Sequence, residues 1–360
     1  MRLLRQLDFP LLIAALAIVL IGIIAIYSAT YHNDSTAVQN AWSKQVLFAA
    51  VAFVVALAIV YIPEKVIYSV AYLLYLFGIV SLVAVLAWGT GDATRWLRLG
   101  PLMLQPSELA KIATIIALAR YLSDRNLERI NSFDGFFGAL FLILVPTALI
   151  VRQPDLGTAV SFGAPLFPML YWAGMRKFFV FLVISPLISV ICSLHFLHPY
   201  QKARIMTFFN PESDPLGSGW NIIQSKIAIG SGGLTGKGLL EGTQTKHEFL
   251  PAAHTDFIFS VIGEEGGFVV ALIVLSLFFF LIYRALHIAS TANNVFYSLT
   301  AVGLAAMLTF HVFINIGMTI GVMPITGLPL PFLSSGGSSL LSNLLAIGLL
   351  LHIATYRHEL

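Results

Sequence analysis

The sequence predicts an all-α protein, a polytopic bundle of about ten transmembrane helices. Hydrophobic residues make up 58% of the 360 residues and charged residues only 10%, and the mean hydropathy is +0.89. Soluble domains usually carry about a quarter charged residues, so this composition requires lipid around much of the chain. Apolar runs near the roughly 20 residues that span a bilayer recur throughout. The length fits one membrane domain over residues 1–360.

Ten segments are predicted to cross the membrane. The nine clear apolar runs are Phe9–Thr30, Gln45–Ile62, Ile67–Trp88, Phe136–Val151, Leu156–Ala173, Phe178–His198, Phe257–Tyr283, Phe296–Ile320 and Gly337–Tyr356. The tenth, Ser107–Tyr121, is shorter and contains charged residues. It is counted as a span because, without it, the segments that flank it would end on the wrong side of the membrane. The first run is too long for a cleaved signal peptide, so it is interpreted as an anchor.

Basic residues near the helix ends predict the orientation. With the N-terminus inside, the inward segments contain ten Arg and Lys residues, whereas the short outward loops contain only Lys44, Arg95, Arg98 and Arg152. The positive-inside rule therefore places both termini in the cytoplasm. The connection between helices 7 and 8, about 199–255, would lie outside, and loops this long are commonly functional. Within it, Trp220–Ile229 is predicted to form an amphipathic helix at the membrane interface.

Charge and cysteine content narrow the function classes. The formal net charge is only +3, and Arg and Lys are scattered over short loops. A nucleic-acid-binding protein usually has a basic stripe, so no nucleic-acid partner is indicated. The single cysteine, Cys192, lies inside an apolar run. A disulfide framework within the chain is therefore excluded.

The glycine-rich cluster at residues 230–238 has two interpretations. A phosphate-binding P-loop needs a glycine and a hydroxyl residue where this chain has Ser231 and Gly238, so that motif is absent. A tight turn that depends on glycine is the favoured interpretation. The alternative is a backbone cradle for pyrophosphate oxygens, with Lys237 as the counter-charge.

Charged residues also occur within predicted spans. Glu108 and Lys111 are three residues apart, so they share a helix face and can pair. Charges inside a membrane usually mark a functional interior or a water-filled cavity, but a structural ion pair is equally compatible with this spacing. Asp155 follows Pro154, and an ordinary helix start explains it without further function.

Asp256 opens predicted helix 8, directly after the long loop and two residues after His254. Asp256, Ser260 and Glu264 recur at helical spacing, so we expect them on one face. An aspartate at a helix start is often only a cap. A cap does not require further acidic residues such as Glu264 deeper in the helix. The pattern therefore favours an acidic, water-accessible pocket that opens to the outside.

The run 328–339 combines prolines, glycines and serines near the last predicted span. It lacks the Gly-x-Ser-x-Gly pattern of a serine nucleophile. Proline and glycine at membrane depth instead predict a broken or re-entrant segment that lines a cavity.

Taken together, the motifs resemble the shape, elongation, division and sporulation (SEDS) family of bacterial cell-wall polymerases. The matching segments follow in order along most of the chain, and their combined spacing is specific although each motif alone is weak. They are Arg95–Leu97, Gln105–Lys111, Arg152–Thr158, Gln224–Ser225, Ala228–Gly233, Phe249–Pro251, His254–Phe259, Gly263–Glu265, Asn315–Met318, Pro324–Gly327, Pro329–Phe332 and Ser335–Ser339. Short tails and the sequence Arg-Gln-Pro-Asp-Leu-Gly are more similar to the elongation branch of the family than to the division branch.

Two positions depart from the family pattern. Ala252 stands where the family usually has an acidic residue, so His254 or Glu248 would have to take over any role of that carboxylate. Ser334 and Ser335 precede the glycines of the late motif, where the family often has a tyrosine. An aromatic contact is therefore expected to be missing there.

The resemblance implies a peptidoglycan glycosyltransferase that polymerises lipid II at the outer face of the bacterial cytoplasmic membrane during cell elongation. The transfer inverts the sugar carbon and releases undecaprenyl pyrophosphate. A carboxylate must take the acceptor proton on the face opposite the leaving group. Asp256 is the predicted base, with Glu108, Lys111, His254 and Glu264 as supporting or cavity residues.

The leaving pyrophosphate needs cations around it. The candidates are residues in the loops, or a divalent cation, Mg²⁺ or Mn²⁺, held by acidic residues. The predicted substrate- and pyrophosphate-binding residues are Arg95, Arg98, Arg204, Lys226, Lys237, Ser335 and Ser338.

The implied partners are lipid II, undecaprenyl-pyrophosphate-linked glycan, a class B penicillin-binding protein that acts as transpeptidase, and other elongation-complex proteins. Two alternatives stay open: a flippase that moves lipid II across the bilayer, and a non-catalytic scaffold for the transpeptidase. A flippase needs polar groups through the full membrane depth. Here the motifs crowd the predicted outer half.

Overall fold

A computed structural model describes residues 7–33, 35–89, 95–99, 102–176, 206–210 and 219–357. Helices dominate this part of the chain. The longer ones are α1 (Phe9–Thr30), α3 (Ala41–Val60), α4 (Glu64–Trp88), α5 (Pro106–Ser123), α7 (Phe133–Val151), α8 (Leu156–Gly163), α9 (Leu166–Trp172), α10 (Trp220–Ser231), α12 (Ile258–Ser290), α13 (Val295–Thr319) and α14 (Gly337–Tyr356). Three single turns are α2 (Thr36–Gln39), α6 (Leu127–Ile130) and α11 (Thr243–Lys246). Strands β1 (Leu97–Leu99) and β2 (Leu102–Leu104) form an antiparallel hairpin.

Long apolar helices confirm the predicted fold class. Seven of the described helices are long and apolar enough to cross a membrane: α1, α3, α4, α7, α12, α13 and α14. The predicted span with charges is α5, which has the expected position. All nine predicted spans within the described residues begin within four residues of the observed helix starts. The remaining prediction, Phe178–His198, lies outside the described residues.

Two predicted spans differ in detail from the structure. The run Leu156–Ala173 is not one helix but α8 and α9, which separate at Ala164 and Pro165. Proline has no N–H to donate and its ring clashes with the preceding turn, so the helical ladder breaks there. The span that begins at Phe257 continues seven residues beyond Tyr283, to Ser290, and it is kinked at Gly267.

The bundle has an inner and an outer layer. Of the most apolar stretches, 72% of α13 and 83% of α14 is buried, against 22% of α3 and of α4. Helix α5 joins α13 and α14 at the centre, and its buried face includes Glu108 and Lys111. The outer helices present large apolar side chains such as Phe77, Val54 and Phe279, each at least 66% exposed. Apolar surface of this extent suits a hydrocarbon environment.

The kink in α12 is held by the glycine cluster at residues 230–238. Gly267 has φ +67° and ψ −168°, which interrupts the helical hydrogen bonds. The backbone N–H groups of Lys237 and Gly238 donate to the carbonyl oxygens of Glu264 and Glu265, each at 3.0 Å. The cluster thus supplies donors in place of the helix N–H groups that the kink removes. Backbone carbonyl groups without hydrogen bonds are costly in a membrane, and these donors satisfy them.

The same cluster also accepts hydrogen bonds from the far side of the kink. Phe268 N and Val269 N donate to the carbonyl oxygens of Gly233 and Leu234 at 2.9 and 3.1 Å. The cluster and the broken helix therefore share four backbone hydrogen bonds. Because the donors of residues 237 and 238 are already used, the structure favours a structural turn over a pyrophosphate cradle.

We expect Gly236→Ala to destabilise the protein strongly. Gly236 has φ +79°, and a Cβ there would stand 2.0 Å from the carbonyl oxygen of Glu265. The cluster would have to move off the kink, at about 1–3 kcal/mol beyond backbone strain alone. Gly233→Ala is the matched control, since Gly233 has φ +55° but open space around the added methyl group. The unfolding temperatures of the two purified variants in detergent measure the difference, and equal losses would contradict this role.

Candidate active site

Asp256 lies in a turn, residues 252–257, that precedes α12. The N-cap of α12 is Phe257, and no side chain caps the helix. Asp256 is therefore not a helix cap, which removes the simplest structural explanation for it. Its carboxylate is half-buried. Asp256 Oδ2 lies 3.7 Å from where a Cβ on Gly327 would stand, so it faces the segment 320–336 that joins α13 to α14, here called the crossing segment.

Three consecutive carbonyl oxygens of the Asp256 turn are bound from outside it. The carbonyls of residues 254–256 accept, in order, Ser335 N at 2.9 Å, Ser334 Oγ at 2.6 Å and Asn315 Nδ2 at 3.0 Å. Two of these donors belong to the crossing segment and the third belongs to α13. The turn that carries Asp256 is therefore held in one position relative to the bundle.

The serine-rich motif mainly builds structure at this end of the bundle. Ser335 binds the turn through its backbone, and Ser334 accepts from Leu330 N at 2.8 Å. Ser338 Oγ accepts from Gln105 N at 3.0 Å, which anchors the start of α5. The predicted re-entrant segment thus packs against the Asp256 turn. Ser335 is half-buried, and its role as a substrate contact stays a prediction.

Lys226 contacts the crossing segment at its beginning. A Cβ on Gly321 would stand 1.9 Å from Lys226 Cε, so the lysine stem lies directly on that glycine. The lysine itself is exposed. Helix α10, which carries it, is docked on the bundle by Ser225, whose hydroxyl donates to Thr319 O at 2.7 Å. The helix predicted over Trp220–Ile229 is therefore present and packs on α12 and α13.

Arg95 approaches the same segment through the start of α8. Asp155 accepts from Thr158 N at 3.1 Å, as a helix cap, and it also pairs with Arg95 Nε at 3.4 Å. Arg95 Nη2 donates to Pro154 O at 2.6 Å. A Cβ on Gly157 would stand 2.6 Å from Thr326 O, so α8 begins against the crossing segment. Asp256 and Lys226 thus border the crossing segment directly, and Arg95 is linked to it through the start of α8.

The other predicted cations have different surroundings. Arg98 lies exposed on β1, next to the helix bundle, and Arg204 lies outside the described residues. Lys237 Nζ is bound to Glu264 Oε1 at 2.6 Å and to Thr243 Oγ1 at 2.8 Å. The ammonium group of Lys237 therefore stabilises the loop, and it would have to leave these two partners to bind a pyrophosphate.

Glu264 is separate from the Asp256 pocket, contrary to the expected shared face. Its side chain is fully buried, and Oε1 accepts from Thr243 N at 2.8 Å and Gln244 N at 3.2 Å besides Lys237. Helical spacing does not extend to Asp256, because α12 begins only at Ile258. Glu264 therefore does not lie on a shared helix face with Asp256, and the water-accessible pocket around Asp256 stays a prediction.

Glu108 and Lys111 form the ion pair that their spacing predicts. Lys111 Nζ lies 2.9 Å from Glu108 Oε1, and both side chains are at most 3% exposed. Ser342 Oγ donates to Glu108 Oε2 at 2.8 Å, and His311 Nε2 lies 3.2 Å from Lys111 Nζ. The pair therefore joins α5, α13 and α14 in the centre of the bundle. Whether it also shapes a substrate cavity stays a prediction.

Sequence reasoning did not single out His311, and it listed Asn315 within a family motif without giving it a role. They lie one turn apart on α13, and both are at most 1% exposed. One contacts the buried ion pair and the other contacts the Asp256 turn. The available signal was two polar side chains at i and i+4 in an otherwise apolar span, which places them on one face.

The two candidates to replace the carboxylate missing at Ala252 have distinct environments. Glu248 is exposed, and its Oε1 accepts from Asn33 Nδ2 at 2.6 Å, which ties the loop to the end of α1. His254 is half-buried in the Asp256 turn. Burial lowers the pKa of His254 below its usual range, so the ring is neutral at neutral pH.

The pKa of His254 predicts a loss of stability in mild acid. Its pKa in the folded protein lies below the unfolded value of about 6.5, so the unfolded chain binds more protons as the pH falls. Stability from the neutral ring is thus complete above about pH 6.5 and is lost as the pH decreases. We expect the unfolding temperature of His254→Gln to change less between about pH 7 and pH 5 than that of the unchanged protein. His247→Gln, at an exposed site, is the control, and equal slopes in both variants would contradict the assignment.

Within the described residues, no group of three or more His, Cys, Asp and Glu side chains is arranged to hold a metal ion. Two acidic residues considered for the site already have partners: Asp155 pairs with Arg95, and Glu264 pairs with Lys237. A cage made only of protein oxygens is therefore not assembled there. Magnesium commonly takes one or two carboxylates and completes its shell with water and substrate phosphates.

Fold and site together define a class: a multi-pass helical membrane protein with a half-buried aspartate and nearby cations at one end of the bundle. The chain belongs to the FtsW, RodA and SpoVE family, described as cell cycle proteins, which matches residues 9–359.

Relatives of known name cover nearly the whole chain. It is 40% identical to peptidoglycan glycosyltransferase MrdB of Escherichia coli K12, over 99% of this chain and 95% of that protein. It is 38% identical to stage V sporulation protein E of Bacillus subtilis, over 97% of each chain.

Solved structures share the fold. A chain from a peptidoglycan synthase complex, described as coordinating polymerization and crosslinking, matches with a TM-score of 0.80 and 33% identity over 98% of this chain and 99% of that chain. The rod shape determining protein RodA of Thermus thermophilus matches with a TM-score of 0.73 and 28% identity over 98% of each chain.

Proposed function

We propose that this protein is an inverting peptidoglycan glycosyltransferase that polymerises lipid II into glycan strands during cell elongation. The observation that carries the proposal is the half-buried Asp256, in a turn whose carbonyl oxygens at residues 254–256 accept three hydrogen bonds from α13 and the crossing segment. Lys226 lies against the same segment. The names of the full-length relatives support the same reaction class.

In the proposed reaction, Asp256 takes the proton from the 4-hydroxyl of the acceptor sugar as that oxygen attacks the anomeric carbon of the donor. A new glycosidic C–O bond forms while the bond to the pyrophosphate breaks, and attack from the opposite face inverts the carbon. Undecaprenyl pyrophosphate leaves already charged, so it needs cations rather than an acid. Among the residues that the structure describes, the candidates for that role are Lys226, Arg95 and Arg98.

We also propose that the Asp256 end of the bundle faces outward and that both termini are cytoplasmic, in a bacterial cytoplasmic membrane. Support comes from the opposite end, where Arg284 pairs with Asp8 and Arg120 lies over the ring of Tyr68 at 4.5 Å. Excess basic residues mark the cytoplasmic side. A cysteine placed at Lys246 should react with an impermeant maleimide in intact cells, whereas one at Arg357 should not.

Two further parts of the proposal concern the cofactor and the partners. A divalent cation, Mg²⁺ or Mn²⁺, would take most of its ligands from the pyrophosphate and water, because the described part of the chain assembles no group of three or more His, Cys, Asp and Glu side chains. The likeness to a chain of a peptidoglycan synthase complex supports a class B penicillin-binding transpeptidase as partner, along with other elongation-complex proteins. Co-purification of the tagged protein with a co-expressed transpeptidase tests the partner.

Incubation of the purified protein with lipid II in detergent is the test of the proposed function. Glycan polymer should form, because a polymerase needs no membrane to cross. EDTA should stop the reaction and Mg²⁺ or Mn²⁺ should restore it. A lipid II flippase or a scaffold would leave lipid II unchanged in every arm, and that result would overturn the proposal.

A further inference from the structure

We propose that Asn315 is the positioning residue for Asp256, an inference that rests on the proposed function. Asn315 is fully buried on α13. Its Nδ2 donates to the carbonyl oxygen of Asp256 at 3.0 Å and to that of Leu328 at 2.8 Å. One amide group therefore uses both of its hydrogens to join the Asp256 turn, the crossing segment and α13.

The contact matters because Asp256 lies outside the regular helix. Its own N–H donates to Ala252 O at 3.2 Å, within a turn where Ala252 has φ +54°. Its carbonyl accepts from Asn315, so the backbone on both sides of the carboxylate is fixed by hydrogen bonds. Loss of the second contact would free the Cα of Asp256 to shift relative to the crossing segment.

Asn315 binds its neighbours through its side-chain NH₂ group and not through its side-chain oxygen. Within the described residues, Asn315 Oδ1 has no hydrogen-bond partner although it is buried. A buried acceptor without a partner is costly, so any stabilisation from Asn315 comes from the two hydrogen bonds that its NH₂ group donates. A leucine of similar size would remove both donations together with the unpaired oxygen.

Ser334 supplies a second link between the same elements. Its hydroxyl donates to Thr255 O at 2.6 Å and accepts from Leu330 N at 2.8 Å. Asn315 and Ser334 therefore bind adjacent carbonyls of the turn to positions 328 and 330 of the crossing segment. Because Ser334 still binds the turn, an Asn315 variant should keep the turn folded, but Asp256 should be able to shift relative to the crossing segment.

The expected effect is on the chemical step. Misplacement of a catalytic group by about 1 Å can cost on the order of 100-fold in rate. We expect Asn315→Leu and Asn315→Asp to lower kcat for lipid II polymerisation by about 10- to 100-fold, with KM unchanged to within about twofold. Both variants lose the two donors, and the aspartate keeps the shape of the side chain.

Asn343→Leu is the matched control. Asn343 is also a buried amide, 1% exposed on α14, with Nδ2 bound to Ser339 Oγ at 3.2 Å. Its Oδ1 has no hydrogen-bond partner among the residues that the structure describes. The two leucine variants should lose similar stability, but only Asn315→Leu breaks a contact to the Asp256 turn. A purely structural role for Asn315 would make their kinetic effects alike.

Amide hydrogen exchange provides a readout that does not depend on activity. Exchange in peptides covering residues 252–258 should quicken in Asn315→Leu and stay as in the unchanged protein in Asn343→Leu. Unchanged exchange, or a normal kcat with Asp256→Asn inactive, would overturn the positioning role alone. Quickened exchange with Asp256→Asn fully active would instead overturn the base assignment on which the inference rests.

Discussion

Asp256→Asn will abolish lipid II polymerisation while leaving the protein folded and inserted. The asparagine keeps the size of the side chain, and the backbone carbonyl that binds Asn315 is unaffected. The substitution removes the proton-accepting carboxylate, and a general base typically contributes 10²- to 10⁴-fold in rate. We expect the rate of glycan formation to fall by about that factor, as measured with purified lipid II.

The control for this prediction is Asp124→Asn, at the opposite end of the bundle. Asp124 accepts from Tyr68 and lies 3.8 Å from Arg120 Nε, far from the Asp256 turn in the fold. Its loss should leave polymerisation near normal. Near-normal glycan synthesis by Asp256→Asn, at equal amounts of folded protein, would refute Asp256 as the base.

Lys111→Met will cause the largest loss of stability. It removes the ammonium group 2.9 Å from Glu108 and leaves a buried carboxylate that keeps the hydrogen bond from Ser342 Oγ. Breaking a buried pair by removing one partner typically costs about 3–5 kcal/mol, because the other charge stays unpaired. We expect a sharply lower unfolding temperature and reduced yield in detergent.

Two comparison variants isolate the cause. The double variant Glu108→Gln with Lys111→Met removes both charges and should recover much of the lost stability. Lys237→Met tests a second, partly exposed ion pair, where Glu264 keeps its backbone donors at Thr243 and Gln244 and the lysine is 26% exposed. That change should cost much less. If Lys111→Met proves no worse than Lys237→Met, the buried pair is not essential to the bundle.

Long apolar runs made most of the helices predictable. Phe9–Thr30 and Gly337–Tyr356 begin and end where the sequence places them. The error over Leu156–Ala173 has a local cause, since apolar composition conceals the break that Pro165 imposes. The kink at Gly267 is different, because it depends on hydrogen bonds from a loop about 30 residues away in sequence.

The candidate site was predictable only where neighbours in sequence stay neighbours in space. The Glu108–Lys111 pair follows from a spacing of three residues on one helix. Glu264 was expected beside Asp256 for the same reason, but the helix begins too late for that periodicity to apply. Lys237 looked like a free cation, whereas its partner Glu264 is brought to it by the fold.

By itself, the sequence determined an all-α membrane bundle, the long loop before Asp256 and the buried charges, because burial of apolar runs in lipid depends on local composition. Tertiary structure alone decided which groups surround Asp256. Asn315 lies 59 residues from it and Ser334 lies 79 residues from Thr255, and their hydrogen bonds exist only once α13 and the crossing segment have packed. Contacts at such separations depend on the packing of whole elements, which no local pattern specifies.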